Sequence, residues 1–352
     1  MNLQDFYKDK TVLITGNTGF KGSWASLILS ILGSRVIGIG LKPLTNPDMF
    51  SVIKLNDTVR TYYEDIRNYD AVRRIFSAEK PQIVIHMAAQ PLVLESYKDP
   101  VYTYDVNVMG TVNVCEAVRH TDSVRSFINV TTDKVYKNNE WVYPYREDDV
   151  LDGYDPYSNS KSCSELVTAA YIRSFYNNME IAVSTCRAGN VIGGGDFSEN
   201  RIIPDCVRAA SKGDQIKIRN PHSVRPYQHV LEAVLFYISL ARKQYDDISV
   251  SGSYNIGPNE DDALTTGELC DIFCREWGDG VSWISTASGN SHEANLLKLD
   301  TNKARSLLEW RPLWNVQTAV KNAVEWYKAF YNNENMISVT SQQINRFMCN
   351  IS

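Results

Sequence analysis

A chain of 352 residues with a formal charge of −5 and 22% charged residues is an ordinary acidic globular chain, long enough for one large α/β unit or two coupled domains. Its charges are scattered, with no basic tract to hold nucleic acid, and apolar runs such as residues 25–32 fall far short of a membrane span. The first residues lack the apolar stretch of a secretory signal, and seven dispersed cysteines fit reduced thiols, so the expected setting is cytoplasmic.

The β-branched run 11–15 reads as a first buried strand, followed by a helix over 22–32. A second strand covers 35–39, and a third, 59–66, precedes a helix over 69–78. A fourth strand, 82–86, leads towards a long helix over 106–119, and a fifth, 126–130, delivers the segment 131–134 at its carboxyl end. A helix over 157–176 and a strand over 181–186 follow. This alternation predicts a Rossmann-type doubly wound parallel sheet within an α/β fold, with 1–187 as the nucleotide-binding domain. Beyond residue 188, Gly193-Gly194-Gly195 and the proline-punctuated loop 219–226 separate shorter elements. Residues 188–352 are therefore expected to form mainly a smaller C-terminal substrate-binding lobe, with some chain crossing back to the sheet and a last helix over 316–331. Cys270 and Cys274 share a helix face without a second ligand pair, so no metal site is expected.

Three features carry chemistry. Gly16, Gly19 and Gly22, with Thr18 and Phe20 between them, follow the first strand and open a helix, where backbone N–H groups can approach a pyrophosphate. The acidic residue expected about 20 residues on is missing, since the second strand runs into Leu41-Lys42, which leaves NAD and NADP both open. Tyr157 and Lys161 lie four apart on one helix face, so a lysine ammonium there would favour the phenolate as a base during hydride transfer. Thr132, Asp133 and Lys134 stand at the strand edge where open α/β sheets bind ligands, and Asp133-Lys134 adds two ionisable groups that a plain dehydrogenase does not need.

The glycine spacing, Asp65-Ile66, His86-Met87-Ala88-Ala89-Gln90, Asn107-Val108-Met109-Gly110-Thr111 and the Tyr157/Lys161 pair resemble the extended short-chain dehydrogenase/reductases over nearly the whole chain. The resemblance implies NAD, with Asp65 and Ile66 at the adenine, the backbone of Ala88, Ala89 and Gln90 along the cofactor, and Asn107 bracing the active site. The longer context, 15–24, 86–93, 153–161, 187–196, 219–230, 292–294 and 297–300, resembles the CDP-glucose 4,6-dehydratases; Phe197 and Tyr227 depart from the usual Trp but keep an aromatic ring. That likeness implies conversion of CDP-glucose to its 4-dehydro-6-deoxy product with NAD regenerated, for deoxysugar and O-antigen synthesis. It casts Tyr157, Lys161 and Thr132 at C4, Asp133 as acid at O6 and Lys134 as base at C5. The Asp–Lys pair must then start neutral, a state that a dry, closed site favours by penalising both charges. Alternatively, Lys134 only anchors a substrate oxygen. Arg225 is the expected diphosphate contact and Asn190 matches the family position that contacts the phosphate or the sugar, with Arg201, His229, His292 and Lys298 as further substrate candidates. Arg187 reads equally well as a structural ion-pair partner. UDP-N-acetylhexosamine 4,6-dehydratases, nucleotide-sugar 4-epimerases or reductases and a non-catalytic dinucleotide sensor are the competing readings. Pairing through the helices around 106–119 and 157–176 is implied, giving a homodimer or higher homo-oligomer.

Overall fold

The computed structural model describes residues 2–259, 262–286 and 297–350. Seven parallel strands form the central sheet: β1 (Thr11–Thr15), β2 (Arg35–Gly40), β3 (Arg60–Tyr63), β4 (Ile83–His86), β5 (Ser126–Val130), β6 (Ala182–Ala188) and β7 (Ser253–Ile256). Their order across the sheet is β7-β6-β5-β4-β1-β2-β3. Every residue of β1, β5 and β6 is buried, as expected of a parallel sheet covered by helices on both faces.

The two-residue side-chain period divides each strand between two cores. Val12, Ile14, Ile83, Ile85, Ile128 and Val130 pack on one face, under the helices Phe20–Ile31 and Val230–Asp246. Leu13, Val84 and Phe127 face the opposite way, under Tyr69–Glu79 and Gly110–Arg119. The helix Pro156–Ser174 adds Val167, Tyr171 and Ile172 to that second core. The direction of winding reverses between β1 and β4, and ligands bind at such a switch point.

Local chemistry sets the helix that carries Tyr157 and Lys161. Asp155 caps it by accepting from Ser158 N at 3.0 Å, and Pro156 occupies its first turn, where no backbone donor is needed. The expected helix 106–119 begins earlier, at Pro100, and is interrupted by a π-helical turn at Asp105–Met109 before Gly110–Arg119. The expected strand 59–66 shortens to Arg60–Tyr63, since Glu64 onward leaves the sheet. The helix Val316–Tyr331 is not the last one: Met336–Met348 follows it, capped by Asn335 and burying Met336, Thr340, Gln343, Ile344 and Phe347.

The second half supplies both β7 and the helix Val230–Asp246 to the sheet layers. Around the carboxyl edge it builds helices Ile202–Ala210 and Thr266–Trp277 and three short strand pairs. These pairs are Val191–Ile192 with Gln228–His229, Val224–Pro226 with Ala263–Thr265, and Ile216–Ile218 with Trp283–Ser285. Among the described residues no helix is long and apolar enough to cross a membrane.

Candidate active site

The carboxyl edge of the sheet opens into a cleft of about 1470 Å³ lined by both halves of the chain. That exceeds the roughly 300–1,000 Å³ of an ordinary small-molecule site, so it has room for two ligands side by side.

One end is built from backbone. Gly19 caps Phe20–Ile31 without a side-chain bond, leaving first-turn N–H groups turned to the cleft. Gly16 has φ +75°, and a Cβ there would lie 2.8 Å from Ala88 N; one on Gly22 would lie 2.0 Å from Gly16 O. Only glycine allows this close approach. Thr18, Phe20, Asp65, Ile66, Ala88, Ala89 and Gln90 line the same end, and Thr18 Oγ1 donates to Leu41 O at 2.8 Å. Burial pushes the Asp65 carboxyl up, but bonds from the Arg67 guanidinium and backbone outweigh it and hold Asp65 below the usual range. Asp65 is not the helix cap, since Asn68 fills that place. A cradle of free N–H groups with no Cβ in the way fits a dinucleotide pyrophosphate. Asn107 does not line the cleft. It acts through Gln90, accepting from Gln90 N at 2.8 Å and donating to Gln90 O at 3.1 Å, and it also donates to Ser160 Oγ at 2.9 Å.

The other end holds the ionisable cluster. Thr132, Asp133, Lys134, Tyr157 and Lys161 all line it. Thr132 Oγ1 donates to Asp133 Oδ1 at 2.9 Å, and Lys134 Nζ stands 3.7 Å from the same oxygen. Asp133 is 1% exposed, and its Oδ2 has no hydrogen-bond partner among the described residues. Lys161 Nζ donates to Val130 O at 2.8 Å, and burial, helped by Lys21 and opposed by Glu165, lowers its ammonium to about 8. Tyr157 is pushed up to about 12 by burial, with the Thr132 hydroxyl pulling down and Asp133 pushing up.

The candidate substrate contacts separate into two groups. Asn190, Arg201 and Arg225 line the cleft; Arg201 Nη1 pairs with Asp196 at 3.0 Å, and Arg225 Nη1 donates to Val224 O at 3.0 Å. His229 does not line it. Its ring is fully buried between Trp24 and Trp314, burial lowers it to about 3, and its Nδ1 accepts from Leu231 N to start Val230–Asp246. Lys298 is also outside the lining residues, its carbonyl tied to Tyr145 N at 2.9 Å. His292 lies outside the described residues. Lys21, unassigned by sequence, does line the cleft. Burial and nearby Arg201 lower its ammonium to about 8 against the pull of Asp133 and Asp196. Its signal was a lysine between the second and third glycines of the loop.

The family model described as GDP-mannose 4,6 dehydratase matches residues 13–323. A CDP-glucose 4,6-dehydratase of Salmonella typhimurium is 43% identical over 351 residues, covering 98% of each chain. A UDP-glucose 4-epimerase of Halalkalibacterium halodurans is 28% identical, covering 92% of this chain and 98% of the relative. Among solved structures, a dTDP-glucose 4,6-dehydratase from Bacillus anthracis in complex with NAD superposes with TM-score 0.75 at 21% identity, over 93% of this chain and 99% of the other. A UDP-glucose 4-epimerase from Stenotrophomonas maltophila with bound NAD reaches TM-score 0.81 at 21% identity, over 92% and 99%. At such identities these two structures speak for the fold.

Proposed function

The chain belongs to the GDP-mannose 4,6-dehydratase family, and on that premise we propose that it is a cytoplasmic CDP-glucose 4,6-dehydratase working with tightly bound NAD. The observation that carries this reading is the Thr132-Asp133-Lys134 turn, buried at its first two residues, which lines the cleft together with Tyr157 beside the glycine cradle. An epimerase or reductase needs a base at one hydroxyl, whereas a dehydratase also needs an acid and a base one carbon further on.

Gly16, Thr18, Gly19, Phe20, Gly22, Asp65, Ile66 and the 88–90 backbone would hold NAD, which when bound would supply a hydride acceptor at C4 and a hydride donor at C6. Tyr157 receives the 4-hydroxyl proton while Thr132 hydrogen-bonds the same oxygen. The resulting ketone acidifies C5–H, neutral Lys134 removes that proton, and protonated Asp133 gives its proton to O6 as water leaves; Lys134 returns the proton to C5 when hydride is added at C6, and the proton gained at Tyr157 makes good the one lost from Asp133. The partnerless Asp133 Oδ2 is the oxygen free to meet O6. Arg225, Arg201 and Asn190 serve the diphosphate, where a guanidinium can bind in two places at once. The substrate, by likeness to the Salmonella relative, is CDP-glucose.

Val101, Met109 and Leu166 are 78%, 51% and 55% exposed on the helices that flank the second core. Large apolar side chains left in water on adjacent helices support a homodimer built through that face.

Purified protein given CDP-glucose without added NAD is expected to release a 4-keto-6-deoxy product. Turnover of a UDP-hexosamine with no reaction on CDP-glucose overturns this choice of substrate.

A further inference from the structure

Behind the ionisable turn lies a buried ion pair that touches neither wall of the cleft. Arg187 Nη2 meets Glu165 Oε2 at 2.9 Å, with the two side chains 3% and 2% exposed. Glu165 lies on the Pro156–Ser174 helix, one turn beyond Lys161 and two beyond Tyr157, and Arg187 lies on β6. A buried pair of this kind costs desolvation on both sides, and apolar residues of similar volume often serve stability as well. Its contacts therefore indicate what else it does.

Those contacts bracket the turn from both ends. Before it, Thr131 Oγ1 donates to Glu165 Oε1, while Thr131 N donates to Cys186 O at 2.8 Å and Thr185 Oγ1 donates to Glu165 Oε2 at 2.7 Å. After it, Arg187 Nη1 donates to Tyr136 Oη at 2.8 Å and to Glu147 O at 2.8 Å, and the guanidinium lies over the Tyr136 ring, 5.1 Å from its centre. Tyr136 Oη in turn donates to Asn255 Oδ1 on β7 at 2.6 Å. Between these anchors stand Thr132, Asp133 and Lys134. On the helix side, Lys161 and Glu165 grip consecutive residues, Val130 and Thr131.

We propose that the Glu165–Arg187 pair is a positioning device for the elimination step. By fixing Thr131 and Tyr136 at once, it sets where Asp133 and Lys134 stand relative to Tyr157. This inference rests on the dehydratase reading above. Tyr157 and Lys161 have anchors of their own, the Asp155 cap and the Val130 carbonyl, so loosening the bracket moves Asp133 and Lys134 at O6 and C5 more than the base at C4, of whose partners only the Thr132 hydroxyl rides on the turn. A displacement of about 1 Å can cost a catalytic step roughly 10²-fold.

The test uses full-length holoenzyme and CDP-glucose, following reduced nicotinamide by absorbance and deuterium uptake at C5 from heavy water. In Arg187→Lys, the single ammonium replaces a fork and cannot hold Glu165 and Tyr136 together. The expected result is a C5 exchange rate that falls on the order of 10–10² relative to C4 oxidation, with reduced cofactor accumulating. Tyr136→Phe leaves the pair intact and removes one hydroxyl, so it folds even if the lysine variant does not, and it is expected to give the same split, smaller. A merely structural pair lowers melting temperature and both steps alike. Equal losses at C4 and C5, or no change in Tyr136→Phe, overturn the proposal. Wild-type protein in the same experiment reports on the reading beneath it: no product from CDP-glucose there refutes the assigned reaction, whereas normal product with an unchanged ratio in the variants refutes only the bracket.

Discussion

Replacing Lys134 by methionine is expected to separate oxidation at C4 from loss of water. Lys134 Nζ stands 3.7 Å from Asp133 Oδ1, with the lysine side chain 30% exposed. Two unit charges at that separation attract by roughly 4.5 kcal/mol at an effective dielectric of about 20. Solvent around the lysine reduces this to about 1–2 kcal/mol. The fold survives such a loss, because Thr132 still donates to Asp133 and the charges of Lys21 and Arg201 remain nearby. The chemical loss is larger: a positioned general base contributes about 10²–10⁴-fold, or roughly 2.7–5.5 kcal/mol of barrier. Rapid-mixing absorbance with CDP-glucose should show reduced nicotinamide forming at nearly the wild-type rate and then persisting. Deuterium uptake at C5 from heavy water should fall by the factor just given. Exchange at the wild-type rate would refute the assignment of Lys134 as the base, and a raised KM with unchanged exchange would make it an anchor for a substrate oxygen.

Lys161→Met should change how stability depends on pH. The wild-type ammonium is lowered from 10.5 to about 8, chiefly by burial, so between these values the unfolded chain holds a proton that the folded protein has shed. Stability from this group therefore rises with pH across that window, by up to about 1.4 kcal/mol per unit, and melting curves of the variant should show a shallower rise. An unchanged slope would mean that Lys161 is not buried as an amine. Gly22→Ala puts a methyl 2.0 Å from Gly16 O, so the purified protein should lose its nucleotide and melt earlier; retention of NAD at wild-type stoichiometry would contradict the cradle. Arg225→Ala should raise KM for CDP-glucose about 10- to 150-fold, the 1.5–3 kcal/mol of a charge-assisted bond, with a smaller effect on kcat. Changing Val101 and Leu166 to Glu should yield monomers in sedimentation; a dimer of unchanged mass would place the interface elsewhere.

What the sequence made legible was local. Thr132, Tyr157 and Lys161 converge because a buried strand end and a capped helix are each specified by neighbours within a few residues. The glycine loop was readable for the same reason. His229 was misjudged because its surroundings, Trp24 and Trp314, are distant in the chain, and the ring that looked like a ligand contact is part of an aromatic core. Lys21 has no local signal beyond its place in the glycine loop, since its neighbours Arg201, Asp133 and Asp196 are distant in the chain. The helix Met336–Met348 is within reach of its own periodicity and its Asn335 cap. The charge state of Tyr157 was out of reach, since it depends on burial against competing groups that only the folded arrangement assembles.

The order in which the sheet is completed has a cost during synthesis. β7 lies at the edge beyond β6, yet 64 residues separate Ala188 from Ser253 in the chain. A ribosome adding about 5–20 residues per second needs roughly 3–13 s to supply them. For that interval one side of β6 is an unpaired strand edge, open to pairing with another nascent chain. Arg187 waits with it, a buried cation whose Tyr136 contact lacks Asn255 until β7 docks. Aggregation during expression should therefore be governed by events late in translation, and chain release just short of residue 256 should be far more harmful than truncation after Tyr331.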